Sequence, residues 1–480
     1  MSMTRAPIDS KHGRGTVLLY NPSAPHFQMP LGILAVGTAL HRAGFHVELL
    51  DGRVNRPASP ELGRMLEGAL MVGVGVLSGK PILDAVRFSR QVKTLAPDVP
   101  VLWGGWHPSL LPEQCLDEAS VDFVIRGPGE EAAVALAVSL ESGSGTAEVP
   151  GLTRRTAGRG TVSREVALPA GPPALDYGLL TLDHYFGPRK SRTLDYITSQ
   201  GCPFNCAFCS DPAVFHHRWR AFPPERVVAE LVQLVTRYDI ERVAFLDDMF
   251  YLKPQRARAI AEGLLSLRRP VRWSATFRAG QLAGMDEDLL ILLVRSGLDR
   301  MVVGAESGSD RLLAGIDKRL TAEQILESAR RLHRFGVKPA YGFITGLPGE
   351  TAEDRRATEE IVFRIGEIHP HAFTRLFFYT PYPGSRLTTE MGEQGAALPA
   401  TLEEWGNCDF FSADSTGLLT RTEIARISRI NFYTHYASLP PPRPRFLEPL
   451  TALARWRRQT RRLGFPLEKW LLSWKPGPAE

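Results

Sequence analysis

The stretch Gln200-Gly-Cys-Pro-Phe-Asn-Cys-Ala-Phe-Cys-Ser210 decides how this chain is read. It crowds three of the five cysteines into eight residues, at spacing C-x3-C-x2-C. Three thiolates so placed reach three irons of a cubane cluster from one tight loop, leaving the fourth iron open to a small chelating molecule. The competing reading is a zinc site, which usually needs a fourth Cys or His. His216 and His217 keep that reading available. A secreted disulfide framework would spread its cysteines along the chain. Cys115 and Cys408 stand alone and read as buried structural thiols.

Outward from this loop the chain alternates short apolar runs with helical periodicity. The run Leu194–Thr198 leads directly into the cysteines. Further strand candidates are Val243–Leu246, Trp273–Phe277, Met301–Val303, Ala340–Thr345 and Leu376–Tyr379. Between them, Pro224–Arg237 places Val227, Val228, Leu231, Leu234 and Val235 on one face, and Thr321 with Gln324 form a capping box. Six βα units predict a partial (β/α)6 barrel over 191–395, with its chemistry at the C-terminal strand ends.

Upstream, Thr16–Tyr20, Val47–Leu50, Val72–Val76, Val101–Trp103 and Phe123–Ile125 are five more apolar runs separated by helical stretches. One of these helices, Leu31–Ala43, stops at Gly44. The pattern predicts an α/β domain over 1–145, a Rossmann-like doubly wound parallel sheet binding ligands at its carboxyl edge. Residues 146–190 read as a Gly-, Ser- and Pro-rich linker with one small hairpin around Leu152 to Glu165. Residues 396–480 read as a helical C-terminal extension, with Leu450–Leu472 forming one or two basic amphipathic helices broken at Gly464 and Pro466.

The formal net charge is +5. From Pro440 onward nine Arg or Lys face three Glu, so the preceding 439 residues carry about −1. That distribution argues against a nucleic-acid surface. No apolar run is long enough to span a bilayer, and the polar, basic first fifteen residues have no signal-peptide h-region. The expected location is the cytoplasm.

With these motifs in order, the chain resembles the radical S-adenosylmethionine (SAM) superfamily, in the subgroup that carries a cobalamin (B12)-binding domain. Cys202-Pro-Phe-Asn-Cys206-Ala-Phe-Cys209 matches its cluster signature. Val243–Phe250 resembles the second-strand motif, Gly304-Ala-Glu-Ser-Gly308 the fourth, Gly342–Glu350 the fifth and Tyr379–Ser385 the sixth. The first domain is similar to the cobalamin domain through Pro30–Leu34, Gly44–Asp51, Gly104-Gly-Trp-His-Pro-Ser109 and Gly127-Pro-Gly-Glu130.

The resemblance implies that Cys202, Cys206 and Cys209 hold a [4Fe–4S] cluster. Asp247 and Asp248 are then expected at the amino group of SAM and Arg278 at its carboxylate. Glu306 and Ser307 are expected at the ribose or methionine, and Gly342, Gly346 and Gly349 beside the adenine. The expected cobalamin contacts are Asn21, Asp51, Ser78, Gly104, Gly105, His107, Pro108, Ser109, Gly127 and Glu130. The D-x-H-x-x-G motif that supplies a lower axial histidine elsewhere is absent, and His26 and His107 read as surface or polar loop residues rather than cobalt ligands.

The implied activity is methylation of an unactivated carbon in a small-molecule or lipid substrate, with an external electron donor such as a flavodoxin or ferredoxin. The alternative is a non-methylating cobalamin-dependent reaction such as anaerobic ring formation. A methylthiotransferase would need three further N-terminal cysteines, where only Cys115 is present. A zinc-stabilised binding module is the non-enzymatic reading. Tyr379 and Tyr382 are acid–base candidates by position alone, and the basic tail with its tryptophans offers a peripheral membrane contact.

Overall fold

Thr16–Asn21 (β1) has no polar face, because both of its faces are covered. Leu18 and Tyr20 enter one apolar core, with Val72, Val74 and Trp103. Val17 and Leu19 enter a second, with Met71, Leu102 and Leu136. The strand therefore lies inside a sheet with helices on both sides. In this computed structural model the chain divides into two compact units. The structure describes residues 14–464 apart from 26, 147–148, 156–160, 163–170, 172, 409–415 and 440–443, together with 466, 468 and 469. His26, Trp470 and Leu471 fall outside the described residues.

The first unit comprises residues up to Ser191 together with Ala213–His216 and Ala397–Cys408. Its sheet adds His46–Asp51 (β2), Ala69–Gly75 (β3), Val101–Gly104 (β4) and Phe123–Ile125 (β5), all parallel. Leu152–Arg154 (β6) and Thr161–Val162 (β7) then pair antiparallel, giving the order β2-β1-β3-β4-β5-β6-β7. The hairpin expected around Leu152 thus continues this sheet. The stretch read as a linker also supplies Tyr177, Tyr185 and Phe186 as buried side chains. The helix Leu31–Arg42 ends, as its sequence indicates, just before Gly44, whose φ of +91° suits glycine.

The segment Ala397–Cys408 was expected to belong to the C-terminal extension. It returns instead to the first unit, where its short helix Leu402–Asn407 packs on the helix Pro81–Leu95. Leu402, Trp405 and Cys408 complete the core around Trp103 and Cys115. Gly406 allows the approach, since a Cβ there would lie 2.5 Å from Leu83.

The second unit comprises Arg192–Pro212, His217–Ala396 and Asp409–Glu480. Its six parallel strands are Thr193–Tyr196 (β8), Arg242–Phe245 (β9), Arg272–Arg278 (β10), Leu298–Glu306 (β11), Lys338–Thr345 (β12) and Phe373–Phe378 (β13). They lie in order β13-β12-β11-β10-β9-β8, an open barrel whose end strands do not pair. The helix Arg421–Ser438, not apparent in the sequence, covers the β13 edge. Asn431 gives its amide to both backbone groups of Leu376, at 2.9 Å each, which blunts an otherwise open edge.

The C-terminal helix Glu448–Thr460 turns its arginines toward the unit. Arg458 is buried and donates to the Gly366 carbonyl, and Arg461 pairs with Glu360. Trp456 is exposed. Among the described residues no helix is long and apolar enough to cross a membrane.

Candidate active site

The cysteine loop leaves β8 at the carboxyl rim and is tied down on both sides. Asp247, just past β9, accepts from Thr198 N and Ser199 Oγ, each at 2.6 Å, and from Thr198 Oγ1. Asp248 accepts from Gly201 N at 2.8 Å. Gly201 has φ of +78°, which turns the chain into the first cysteine. Beyond the second cysteine, Ala207 N donates to the Ile316 carbonyl at 2.9 Å, and Leu387 N donates to the Ala207 carbonyl at 2.8 Å. Ala207 and Phe208 pack with Leu312, Ile316, Leu347 and Tyr379. Asp247 thus spends both oxygens on holding the loop.

Cys202, Cys206 and Cys209 are free of disulfides, and Cys206 is buried. Burial pushes the Cys202 thiol up to about 11 and that of Cys209 to about 12. Such thiols stay protonated until a metal displaces the proton. Among the described residues no three His, Cys, Asp or Glu side chains converge on a point as a single metal ion requires. A cubane makes a different demand, one thiolate per iron, and the spaced loop fits it. Positive potential is also present: Arg278 Nη1 donates to Cys206 Sγ at 3.4 Å.

The neighbouring strand ends gather further polar groups. Glu306, with φ of +63°, ends β11 and pairs with Lys318 at 2.6 Å, both side chains nearly buried. Lys318, which no sequence motif marks, sits on Ile316-Asp-Lys-Arg-Leu320 between two left-handed residues, Asp317 and Arg319. Gly304 makes room for this pair: a Cβ there would lie 2.6 Å from Glu306 Oε1 and 3.0 Å from Lys318 Nζ. The Lys318 ammonium lies 5.8 Å from the Phe208 ring of the cysteine loop. A cavity of about 240 Å³ beside this loop is lined by Phe204, Arg278, Gln281, Arg319 and Gln324.

Other expected SAM residues are arranged differently. Ser307 is buried and shares a hydrogen bond with Thr358 at 3.1 Å, facing the helix Ala352–Ile368. Gly346 has φ of +78° and its N–H donates to Glu350 at 2.6 Å. Burial raises the Glu350 carboxyl to about 7. Gly349 is left-handed, and Gly342 lies against Phe377. Tyr379 is buried, its hydroxyl 3.3 Å from Thr388 Oγ1. The hydrogen-bonding partners of Asp247, Ser307 and Tyr379 lie in neighbouring strands and helices, which no spacing rule reveals.

In the first unit the expected residues line the carboxyl edge. Gly104 and Gly127 face open space, since a Cβ on either would meet nothing within 4 Å. Bare backbone of this kind suits the flat face of a corrin. Gly105 has to be glycine on two counts: its φ is +103°, and an added Cβ would lie 2.8 Å from the Val76 carbonyl oxygen. Ser109 joins two of these loops, donating to the Gly105 carbonyl at 2.6 Å and accepting from Gly127 N at 2.9 Å. Glu130 opens the helix Glu130–Ser142. Asp51 is already engaged by Arg53 at 2.6 Å and by the Tyr185 hydroxyl at 3.0 Å. Asn21 ends β1 opposite Asp51.

His107 corrects the expectation of a surface or loop histidine. It is fully buried, 3.1 Å from Ser78 Oγ through Nδ1, with its ring edge-on to Trp405. Among the described residues its Nε2 has no hydrogen-bond partner, and burial lowers its pKa to about 4. Pro108, next to it, is also buried. No local pattern signals this burial, because Trp405 arrives from nearly 300 residues downstream.

Comparison with known proteins bears on both units. Residues 196–362 match the model of the radical SAM superfamily, and residues 20–137 that of the B12 binding domain. An uncharacterized methyltransferase of Pyrococcus horikoshii is 30% identical over 368 residues, covering 75% of this chain and 77% of that one. The anaerobic magnesium-protoporphyrin IX monomethyl ester cyclase of Rubrivivax gelatinosus is 28% identical over 65% of this chain and 57% of its own. The fold is shared with the radical SAM methyltransferase TsrM from Kitasatospora setae, at TM-score 0.69 and 19% identity, over 95% of this chain and 100% of that one. A cluster loop on an open barrel, joined in one chain to a B12-type sheet and matched along most of its length by a 30% identical methyltransferase relative, places this protein in the cobalamin-binding family of radical SAM enzymes, whose cofactors are a [4Fe–4S] cluster, SAM and cobalamin.

Proposed function

We propose that this enzyme methylates an unactivated carbon of a small-molecule or lipid substrate. The observation that carries the reading is the pairing, in one chain, of a three-cysteine loop on a barrel rim with a B12-type sheet whose carboxyl edge presents bare glycine backbone. When bound, the cluster and SAM supply hydrogen abstraction from carbon, and cobalamin supplies the methyl group.

Cys202, Cys206 and Cys209 hold the cluster, on a loop that Asp247 and Asp248 keep in place. Glu306, oriented by Lys318, meets the ribose hydroxyls of SAM, and Gly342, Gly346 and Gly349 give its adenine close access to backbone. Gly104, Gly105, Ser109 and Gly127 form the seat for the corrin. The apolar packing of Ala207 and Phe208 excludes water from the loop's inner face. One electron per cleavage comes from an external donor such as a flavodoxin or ferredoxin.

The test is anaerobic purification, reconstitution with iron, sulfide and hydroxocobalamin, then addition of SAM and dithionite. About four irons, retained corrin, release of 5′-deoxyadenosine and a product heavier by one methylene unit are expected. Cys206→Ala should abolish the cluster. A product of unchanged carbon count would favour ring formation, the reaction that the name of the Rubrivivax relative describes. Bound zinc without iron–sulfur absorbance would refute the proposal outright.

A further inference from the structure

Arg278, the last residue of β10, is half-buried and held from three directions. Its Nη1 donates to Cys206 Sγ at 3.4 Å. Its Nη2 donates to the Lys318 carbonyl. Its guanidinium lies 3.9 Å from the centre of the Phe204 ring, which sits between the first two cysteines. Arg278 therefore has both terminal nitrogens and one face committed before any ligand arrives. Among the described residues it has no carboxylate partner in an ion pair, so no neighbouring carboxylate offsets its charge beside the Cys202 and Cys206 sulfurs.

Charge near an iron–sulfur cluster and hydrogen bonds to its sulfurs set its reduction potential. Reduction adds one negative charge, and a fixed cation donating to a ligand sulfur stabilises the reduced state more than the oxidised one. We infer that Arg278 raises the potential at which the cluster held by Cys202, Cys206 and Cys209 accepts its electron. This rests on the cluster reading above. No bond is made or broken at Arg278, and the single electron comes from the external donor. As a positioning residue it makes reduction accessible to a weaker donor than the bare thiolate loop would require. A charge-assisted hydrogen bond lost from one ligand corresponds to about a tenfold change in the reduction equilibrium, or about 59 mV for a one-electron couple.

The experiment uses the full-length reconstituted protein as wild type, Arg278→Met and Arg278→Lys. Iron and sulfide are counted first, then the cluster is titrated with dithionite through redox mediators and followed by electron paramagnetic resonance. SAM affinity is measured on the same samples. Arg278→Met is expected to keep its irons and shift to a more negative midpoint by about 59 mV, with SAM affinity little changed. Arg278→Lys, which keeps the charge but not the fork, is expected between the two. An unchanged midpoint with full iron content overturns the inference, and a loss of SAM affinity alone returns Arg278 to the SAM carboxylate. If Arg278→Met cannot hold iron, the lysine variant decides by the same criterion. If neither holds iron, Arg278 is a scaffold residue and the inference fails. Absence of a four-iron cluster in the wild type would instead defeat the cluster reading itself.

Discussion

Replacing Lys318 with methionine should destabilise the barrel unit by about 3–5 kcal/mol, the usual cost of leaving one member of a buried ion pair alone. The pair is tight, with Nζ 2.6 Å from Glu306 Oε1 and side-chain exposures of 7% and 11%. At an effective dielectric constant of about 20, two unit charges at that distance attract by roughly 6 kcal/mol before desolvation is subtracted. Three non-glycine residues at or beside the pair, Glu306, Asp317 and Arg319, take left-handed backbone. That conformation costs on the order of 1 kcal/mol per residue and must be offset by what it positions. The assay is hydrogen exchange by mass spectrometry on peptides covering β11 and β12, with urea unfolding alongside. Adding Glu306→Gln to Lys318→Met removes the uncompensated charge and should restore a large part of the loss. A double variant no more stable than the single one would refute this account, because it would mean the damage is steric rather than electrostatic.

Acid should weaken the first unit through His107. Its pKa lies near 4 when folded, against about 6.5 in an unfolded chain, so stability is whole above 6.5 and declines as pH falls toward 4. The loss is at most about 3 kcal/mol, and urea midpoints for His107→Phe should show a shallower slope across that window. Glu350 works in the opposite direction. Its carboxyl is raised to about 7, so its contribution is intact below about 4.5 and declines as pH rises toward 7. Thermal unfolding of Glu350→Gln should therefore gain on the wild type at pH 8 and not at pH 4. Trp405→Ala should cost the first unit about 3–5 kcal/mol by opening a cavity, seen as faster proteolysis within Ala397–Cys408. A Trp405→Ala protein with unchanged urea and protease sensitivity would mean that the segment is an ornament of this unit rather than part of its core.

The strands were legible because burial on two faces leaves an unbroken apolar run, as in Val17–Tyr20. The cysteine loop was legible because its spacing is covalent. Boundaries were less so: β11 runs from Leu298 to Glu306, whereas only Met301–Val303 reads as a strand, since Asp299, Arg300 and Glu306 interrupt the apolar pattern. Side-chain direction was not legible at all. Asp247 stands at the expected strand end yet turns back to Thr198 and Ser199, and Ser307 faces a helix. Lys318 was missed because a lysine between an aspartate and an arginine looks like solvent-facing surface. Only the left-handed residues on either side turn it inward. The helix Arg421–Ser438 escaped because Asn431 and Thr434, its contacts to β13, are polar and blur the apolar face.

The return of Ala397–Cys408 to the first unit has a consequence for biosynthesis. On the ribosome the first five strands emerge early, but Trp405 is translated about 280 residues after Ile125. At about 5–20 residues per second that interval is roughly 14–56 s. During it, the apolar surface beside Ile82, Trp103 and Cys115 awaits its cover. A nascent chain stalled in the barrel would expose that surface, so heterologous expression should depend on chaperone capacity until residue 408 has cleared the exit tunnel.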